Sequence, residues 1–170
     1  MAMVDNKIVT LLTVVGQGSY TKAAQVLNLT QPAVSHHIRQ LEEELEVKIF
    51  QKGRKELILT EEGELLVKYA HRLSAIARQA RQALEDSRTN ATHLNIGTTH
   101  TVGENLVSQV LAIYCNQHPD VHINITTDSI KNIYNRMSLY ELDLAIVEGV
   151  LPGSRFHTLL LDTDFLCLVV

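Results

Sequence analysis

The spacing of helix caps between Ser19 and Pro32 constrains this 170-residue chain more than any other feature. Ser19 can accept from the first free N–H groups of a helix, and Tyr20 to Leu27 come next with Ala23, Ala24 and Leu27 on one small, closely packing face. Asn28 tolerates the left-handed backbone on which helices end. Thr30 is a second cap, and Pro32 falls in the first turn of another helix, where a missing N–H costs nothing. The two helices are thus joined by a tight turn. In the second of them Val34, Ile38, Leu41 and Leu45 step by four, three and four, leaving Gln31, Ser35, His36 and Arg39 on or beside the polar face. Upstream, Ile8, Leu11, Leu12 and Val15 mark an amphipathic first helix that ends near Gly16 and Gly18.

Downstream, Ile49 to Lys52 and Leu57 to Leu59 read as two short strands around the basic turn Gly53-Arg54-Lys55-Glu56, which makes a wing. Thr60 caps a further helix, Glu61 and Glu62 suit its positive end, and the helical pattern runs to about Arg88. Along it Leu66, Tyr69, Leu73, Ile76, Ala80, Ala83 and Ser87 alternate three and four apart, the seam of about three heptads. Such a seam wants a second helix. The opposite face mixes acids with Arg72, Arg78 and Arg81, which argues for helix–helix dimerisation over a membrane-surface role.

After the polar stretch Ser87 to Thr92 the pattern changes to strands alternating with helices. Strands are expected at His93–Gly97, Val121–Thr126, Leu142–Val147 and Phe165–Val170, and helices at Val102–Asn116 and Ser129–Leu139. That alternation implies a parallel α/β sheet. The fold class is therefore α followed by α/β.

Composition removes several classes of function. No apolar run approaches the roughly 18–20 residues that span a bilayer, and Met1 to Lys7 lacks the order of a signal peptide. The expectation is a cytoplasmic protein without a membrane partner. Absence of Trp and 5% aromatic residues argue against a single-strand stacking platform. His36-His37 has no carboxylate at ligand spacing, and the remaining histidines form no short motif, so no metal is expected. No glycine-rich phosphate loop and no Gly-x-Ser-x-Gly elbow appears, so neither a catalytic residue nor an enzyme is expected. Cys115 and Cys167 lack metal or redox spacing and read as packing residues, with a thiol sensor as the alternative.

Charge is uneven. Residues 1–60 hold seven basic and six acidic residues, 61–92 five of each, and 93–170 three basic and eight acidic. Within the first segment Lys48, Lys52, Arg54 and Lys55 form a basic edge, the footprint a phosphate backbone needs.

The residues Ser19-Tyr20-Thr21-Lys22-Ala23-Ala24, Leu27, Thr30-Gln31-Pro32-Ala33-Val34-Ser35, Ile38, Leu41-Glu42, Leu45, Ile49-Phe50 and Leu59-Thr60-Glu61-Glu62-Gly63 resemble the amino-terminal signature of LysR-type transcriptional regulators. The resemblance implies a winged helix-turn-helix DNA-binding domain over 3–60, a dimerising linker helix over 61–90, and the first part of a periplasmic-binding-protein-like effector domain over 93–170. It implies sequence-specific binding to double-stranded DNA at an interrupted inverted repeat, as a dimer or tetramer, in response to a small-molecule co-inducer, with RNA polymerase as a further partner. Family members are longer, so the chain reads as a piece of such a protein, with a sticky or domain-swapped carboxyl end. A small-molecule-binding protein without a DNA role is the alternative from another class.

On this reading Gln31 offers a bidentate amide to a base edge and Pro32 an apolar contact to a thymine methyl, while Ser35, His36 and Arg39 donate to bases or phosphates. His36 stands where many family members carry Arg. Ser19, Thr21, Lys22 and Thr30 would lie along the backbone, and Lys52, Arg54 and Lys55 would grip it from the wing. The dimer seam would be Leu66, Tyr69, Leu73, Ile76, Ala80 and Ala83. Thr98, Thr99, His100 and Thr101 succeed a strand and open a helix, where hydroxyls and N–H groups suit a small anion, and the family places effector contacts in the same loop. Thr127, Asp128 and Glu148 lie at the carboxyl ends of the next two strands, where open sheets bind ligands. An anionic effector is expected, and no cofactor besides it.

Overall fold

The computed structural model describes residues 3–51, 57–103, 106–149, 156–161 and 163. Three helices open the chain: α1 (Asn6–Gln17), α2 (Tyr20–Leu27) and α3 (Gln31–Leu45). Local chemistry sets every boundary. Asp5 accepts from the Lys7 N–H at the start of α1, and Gly18 ends it in the left-handed region at φ +60°. Ser19 accepts from Lys22 N–H and Thr30 from Ala33 N–H, with Asn28 at φ +54° between them. Leu11, Val14, Ala23, Ala24, Val34, Ile38 and Leu41 meet in one core that Ile49 and Phe50 close. Full burial of each of the larger side chains contributes on the order of 1.5–3 kcal/mol. Leu45 departs from the expected inner stripe: it is the last residue of α3 and is 47% exposed. Lys7 reaches Glu44 at 2.5 and 2.6 Å and fastens α1 to the end of α3.

Of the expected wing strands, one antiparallel bridge, Phe50 with Leu59, stands among the described residues. Gln51 N–H donates to Ile58 and Thr60 N–H to Ile49, so the two stubs run as a hairpin base. The basic turn of residues 52–56 lies outside the described residues.

The long helix α4 (Glu61–Thr89) starts where Thr60 accepts from Gly63 N–H and donates to the Lys48 carbonyl. Ala70 of α4 is buried in the core of the three-helix unit, and Leu66 and Val67 pack against it. Asn90, at φ +53°, ends the helix, and the chain turns directly into β1 (Thr92–Thr98). Asp86 bridges that bend, accepting from His93 N–H at 3.1 Å, with the His93 ring nitrogen 2.7 Å away.

The second unit is a parallel sheet in the order β2-β1-β3, with β2 (Val121–Thr127) and β3 (Leu144–Ile146) flanking β1. Over the span where one helix is expected, Val102–Asn116, the described residues hold α5 (His100–Gly103) and α6 (Leu106–Gln117), and residues 104 and 105 lie outside the described residues. Gly103 approaches β1 closely: a Cβ there would stand 2.8 Å from the Thr98 hydroxyl. Helix α7 (Ile130–Ser138), capped by Ser129, buries Ile133 against β1 beside Leu142. The third strand is shorter than expected, because Asp143 turns its carboxylate onto the Asn95 N–H of β1. The strand expected at Phe165–Val170 lies outside the described residues.

Candidate nucleic-acid interface

Burial of Val34, Ile38 and Leu41 rotates α3 so that Gln31, Pro32, His36 and Arg39 are exposed and Ser35 is half-buried. Gln31 Nε2 donates to the Ser35 hydroxyl at 2.9 Å. Thr21 and Lys22, in the first turn of α2, are exposed, as is Thr30. The hydroxyls of Ser19 and Thr30 are each engaged as helix caps, so what these residues offer a phosphate first is the orientation of the adjoining helix ends. Lys52, Arg54 and Lys55 lie outside the described residues. Lys48, read as part of the basic edge, is paired with Glu42 at 2.7 Å, and the same carboxylate group accepts from Ile49 N–H.

Two supports of this face were not singled out in the sequence. His37 Nδ1 lies 2.8 Å from the hydroxyl of buried Thr10, which donates to the Asn6 carbonyl, so α3 is keyed to α1. Tyr20 packs edge-on against Phe50 with ring centroids 5.9 Å apart. Burial first, and then the Glu42 carboxylate, push its hydroxyl up to about 12. A polar residue on a helix at core spacing is the available signal for such supports.

On α4 the seam residues separate. Leu66 turns into the core of its own three-helix unit, because the first turns of α4 are used up packing on it. Tyr69, Leu73 and Ile76 remain 56%, 48% and 50% exposed. Ala83 is exposed and Ala80 half-buried. Leu65 and Leu84, outside the heptad reading, add to the uncovered apolar surface.

At the carboxyl ends of the strands, Thr98 is fully buried and its hydroxyl meets that of Thr127 at 3.3 Å, so it forms part of the floor and does not present its side chain to solvent. Thr99 is buried too, and its hydroxyl donates to the Glu148 carboxylate. His100 and Thr101 are exposed. Asp128 accepts from Asn132 Nδ2 and from Ser129 N–H, both at 2.7 Å, and these bonds hold its carboxyl below the ordinary value. It braces the start of α7, which Ser129 caps. Among the described residues no group of three His, Cys, Asp or Glu side chains is placed to hold a metal, and no helix is long and apolar enough to cross a membrane.

A helix-turn-helix with one polar outer face, a long helix with an uncovered apolar stripe, and a parallel α/β unit in series define the architecture of a one-chain transcriptional regulator. Residues 6–64 match the bacterial regulatory helix-turn-helix proteins of the lysR family, and residues 87–170 match the LysR substrate binding domain. The chain belongs to the LysR family. It is 32% identical over 148 residues to a protein of Chlorokybus atmophyticus named a probable RuBisCO transcriptional regulator, covering 86% of this chain and 47% of the relative. A relative of the same name from Cyanidium caldarium is 34% identical over 137 residues, covering 80% and 43%. The chain thus spans about half the length of the curated relatives it matches. Full-length CbnR in complex with its target DNA superposes with a TM-score of 0.67 at 16% identity, over 81% of this chain and 46% of that one. A full-length OxyR variant from Pseudomonas aeruginosa gives 0.55 at 23% identity, over 91% and 50%. At such identities the likeness is one of fold. The named relatives are transcriptional regulators, and LysR proteins are not an enzyme family.

Proposed function

We propose that the chain is the DNA-binding and dimerising part, with the first portion of the sensing part, of a cytoplasmic regulator that reads an interrupted inverted repeat in double-stranded DNA. The observation that carries this is the exposed row Gln31, Pro32, His36 and Arg39 at the amino-terminal half of α3, backed by a fully buried opposite face. A helix so mounted can enter a major groove by its first turns, with Gln31 as the base reader and Thr21 and Lys22 on phosphates. Tyr69, Leu73 and Ile76 would join two copies, and dimers would pair into tetramers. Such a dimer presents two recognition helices to successive faces of the duplex.

The strand-end loops around Thr99, Thr101, Thr127 and Glu148 would take the small-molecule co-inducer, expected to be a small anion because the loop opens a helix at the carboxyl ends of the strands; the Thr99 hydroxyl, donated to Glu148, would have to exchange that partner for the ligand. RNA polymerase would be the partner on which the regulator acts. A thiol-sensing variant rests on Cys115, which is half-buried on α6, and on Cys167, which lies outside the described residues. Titration of the folded protein with a thiol reagent decides it, and two inert thiols remove it.

The test of the main reading is selection from randomised duplex DNA at moderate salt, with the wild type and Gln31→Ala side by side. The expected result is enrichment of an interrupted inverted repeat by the wild type that is lost in the variant. No enrichment by the wild type would overturn the reading.

A further inference from the structure

Around Arg72 and Gln79 the long helix makes a set of contacts that neither the recognition face nor the dimer stripe explains. Arg72 Nε donates to the Ser138 carbonyl at 3.0 Å. Its guanidinium lies 5.3 Å from the ring centroid of Tyr69 and 5.8 Å from that of Tyr140. Two turns further on, Gln79 Nε2 donates to the Tyr140 carbonyl and to Asp143 Oδ1, both at 3.2 Å. Asp143 Oδ2 in turn accepts from the Asn95 N–H at 2.8 Å and from Asn95 Nδ2 at 3.1 Å. One carboxylate therefore ties α4 to β1, the strand that ends on Thr98 and leads into Thr99.

Tyr140 is the strained member of the set. Its φ is +60°, a region in which a bulky residue is an outlier. A turn that needed only this backbone would be served by Gly or Asn. Here the tyrosine ring faces Arg72 and its carbonyl faces Gln79, so two of the four groups that Arg72 and Gln79 hold across from α4 belong to Tyr140, the others being the Ser138 carbonyl and the Asp143 carboxylate. Strain of this kind persists where the surroundings over-determine it. The same backbone is also set locally, since Tyr140 N–H donates to the Met137 carbonyl at 3.1 Å and Glu141 N–H to the Arg136 carbonyl at 3.0 Å, as at a helix C-terminus; the contacts from α4 fall on the residue that ends α7 in this way.

We propose that Arg72 and Gln79 are positioning residues that latch the α/β unit onto the dimer helix of the same chain through the strained Tyr140 turn, and that this latch transmits events at the strand-end loops to the DNA-binding half. The transmission half rests on the regulatory function proposed above; the latch itself does not. A two-state element biased from both sides is the physical requirement for such coupling, and on this proposal the Tyr140 turn is that element.

Gln79→Glu tests the latch with little change in size: it removes the donor and sets a carboxylate against Asp143. Combining it with Asp143→Asn restores one donor and one acceptor in reversed order, and an asparagine at 143 still accepts from Asn95 N–H. Amide hydrogen exchange of the full chain is the readout. In Gln79→Glu, exchange over residues 93–97 and 139–146 is expected to rise at least roughly three- to tenfold, the factor for each lost hydrogen bond, and to fall back part of the way in the double variant, which restores the bond to residue 143 and not the one to the Tyr140 carbonyl. Tyr140→Gly relieves the backbone while deleting the ring. A turn-only role leaves exchange unchanged or slower in that variant; the latch makes it faster over the same segments. Unchanged exchange in Gln79→Glu, or no restoration in the double variant, overturns the latch.

For transmission, affinity is measured on the duplexes retained in the selection described above. Gln79→Glu is expected to change it by about fivefold or more, with restoration by Asp143→Asn; unchanged affinity overturns transmission while leaving the latch to the exchange result. A wild type that retains no duplex overturns the regulatory reading and transmission together, and exchange still decides the latch.

Discussion

The side-chain amide of Gln31 donates to the Ser35 hydroxyl one turn further along the exposed face of α3, at 2.9 Å. The bond holds Gln31 in one orientation before any DNA arrives, which lowers the entropy lost when an amide pairs with a base edge. Removing the reader and removing its support should therefore differ. Gln31→Ala is expected to cost about 1–3 kcal/mol of discrimination at one base pair. Ser35→Ala is expected to cost about 1 kcal/mol at the same base pair. Anisotropy titrations on matched and singly mismatched duplexes separate the two, and a loss spread evenly over all sequences would make Gln31 a phosphate contact.

Gly63 fixes how the long helix leaves the DNA-binding unit. A Cβ at that position would stand 2.2 Å from the Ile49 carbonyl oxygen and 3.2 Å from Leu59 Cδ2. The first of these is backbone held by the Thr60 N–H bond, so it has little room to give way. Gly63→Ala should destabilise the unit by about 1–3 kcal/mol, as overpacking does. A denaturation midpoint equal to that of the wild type would show that α4 can shift without cost.

Tyr20 gives the same unit an alkaline limit. Its hydroxyl is pushed up to about 12, chiefly by burial, while in the unfolded chain it titrates near its ordinary 10.0. Below 10.0 both states carry the proton and the full stability is present. As pH rises from there towards about 12, the unfolded state loses its proton and the folded state keeps it, so stability falls. Melting temperatures tracked across this range should drop more steeply for the wild type than for Tyr20→Phe, and parallel curves would exclude the contribution.

Much of this architecture is written in short-range chemistry. Ser19, Asn28, Thr30 and Thr60 act within a few residues of themselves, so the bounds of α2, α3 and α4 can be read from residue type and spacing. The polar face of α3 is legible for the same reason. What escapes is decided by distant partners. Leu66 obeys the heptad as well as Leu73 does, yet it turns into the helix-turn-helix core because that core lies against the first turns of α4. Thr98 and Thr101 look alike as loop hydroxyls, but Gly103 and Thr127 close over Thr98 and bury it. The need for glycine at 103, a close approach to the Thr98 side chain of β1, is likewise a tertiary fact. The contacts of Arg72 with Ser138 and Tyr140 join residues that no local pattern relates.

The bend between α4 and β1 should be labile to acid. Asp86 is held below the ordinary 3.8 by the side chain of Gln82 first and by His93 after it. A lowered carboxyl contributes stability that is fully present above 3.8 and is lost as pH falls below it through the depressed value. Protection of the His93 amide, which Asp86 accepts, should fade over that range in the wild type. In Asp86→Asn it should start lower and show no such step. A step of equal size in the variant would move its origin to another group.

The apolar stripe on α4 supplies the last prediction. Tyr69, Leu73 and Ile76 are about half exposed in the single chain, and covering a large apolar side chain is worth on the order of 1.5–3 kcal/mol. A helix–helix interface between identical chains is isologous when two-fold, so a residue on the stripe lies near its own copy or its symmetric neighbours. Leu73→Glu then brings two carboxylates into the seam from one substitution, removing apolar contact and adding like-charge repulsion. Light scattering should show the dimer giving way to monomer, with a melting temperature that no longer rises with concentration. Arg78→Glu reverses a charge on the exposed face of the same helix outside the stripe, so it controls for a general effect on α4 and should leave the dimer intact. If Leu73→Glu remains dimeric, the stripe is not the seam, and the uncovered Leu65 and Leu84 become the surface to test.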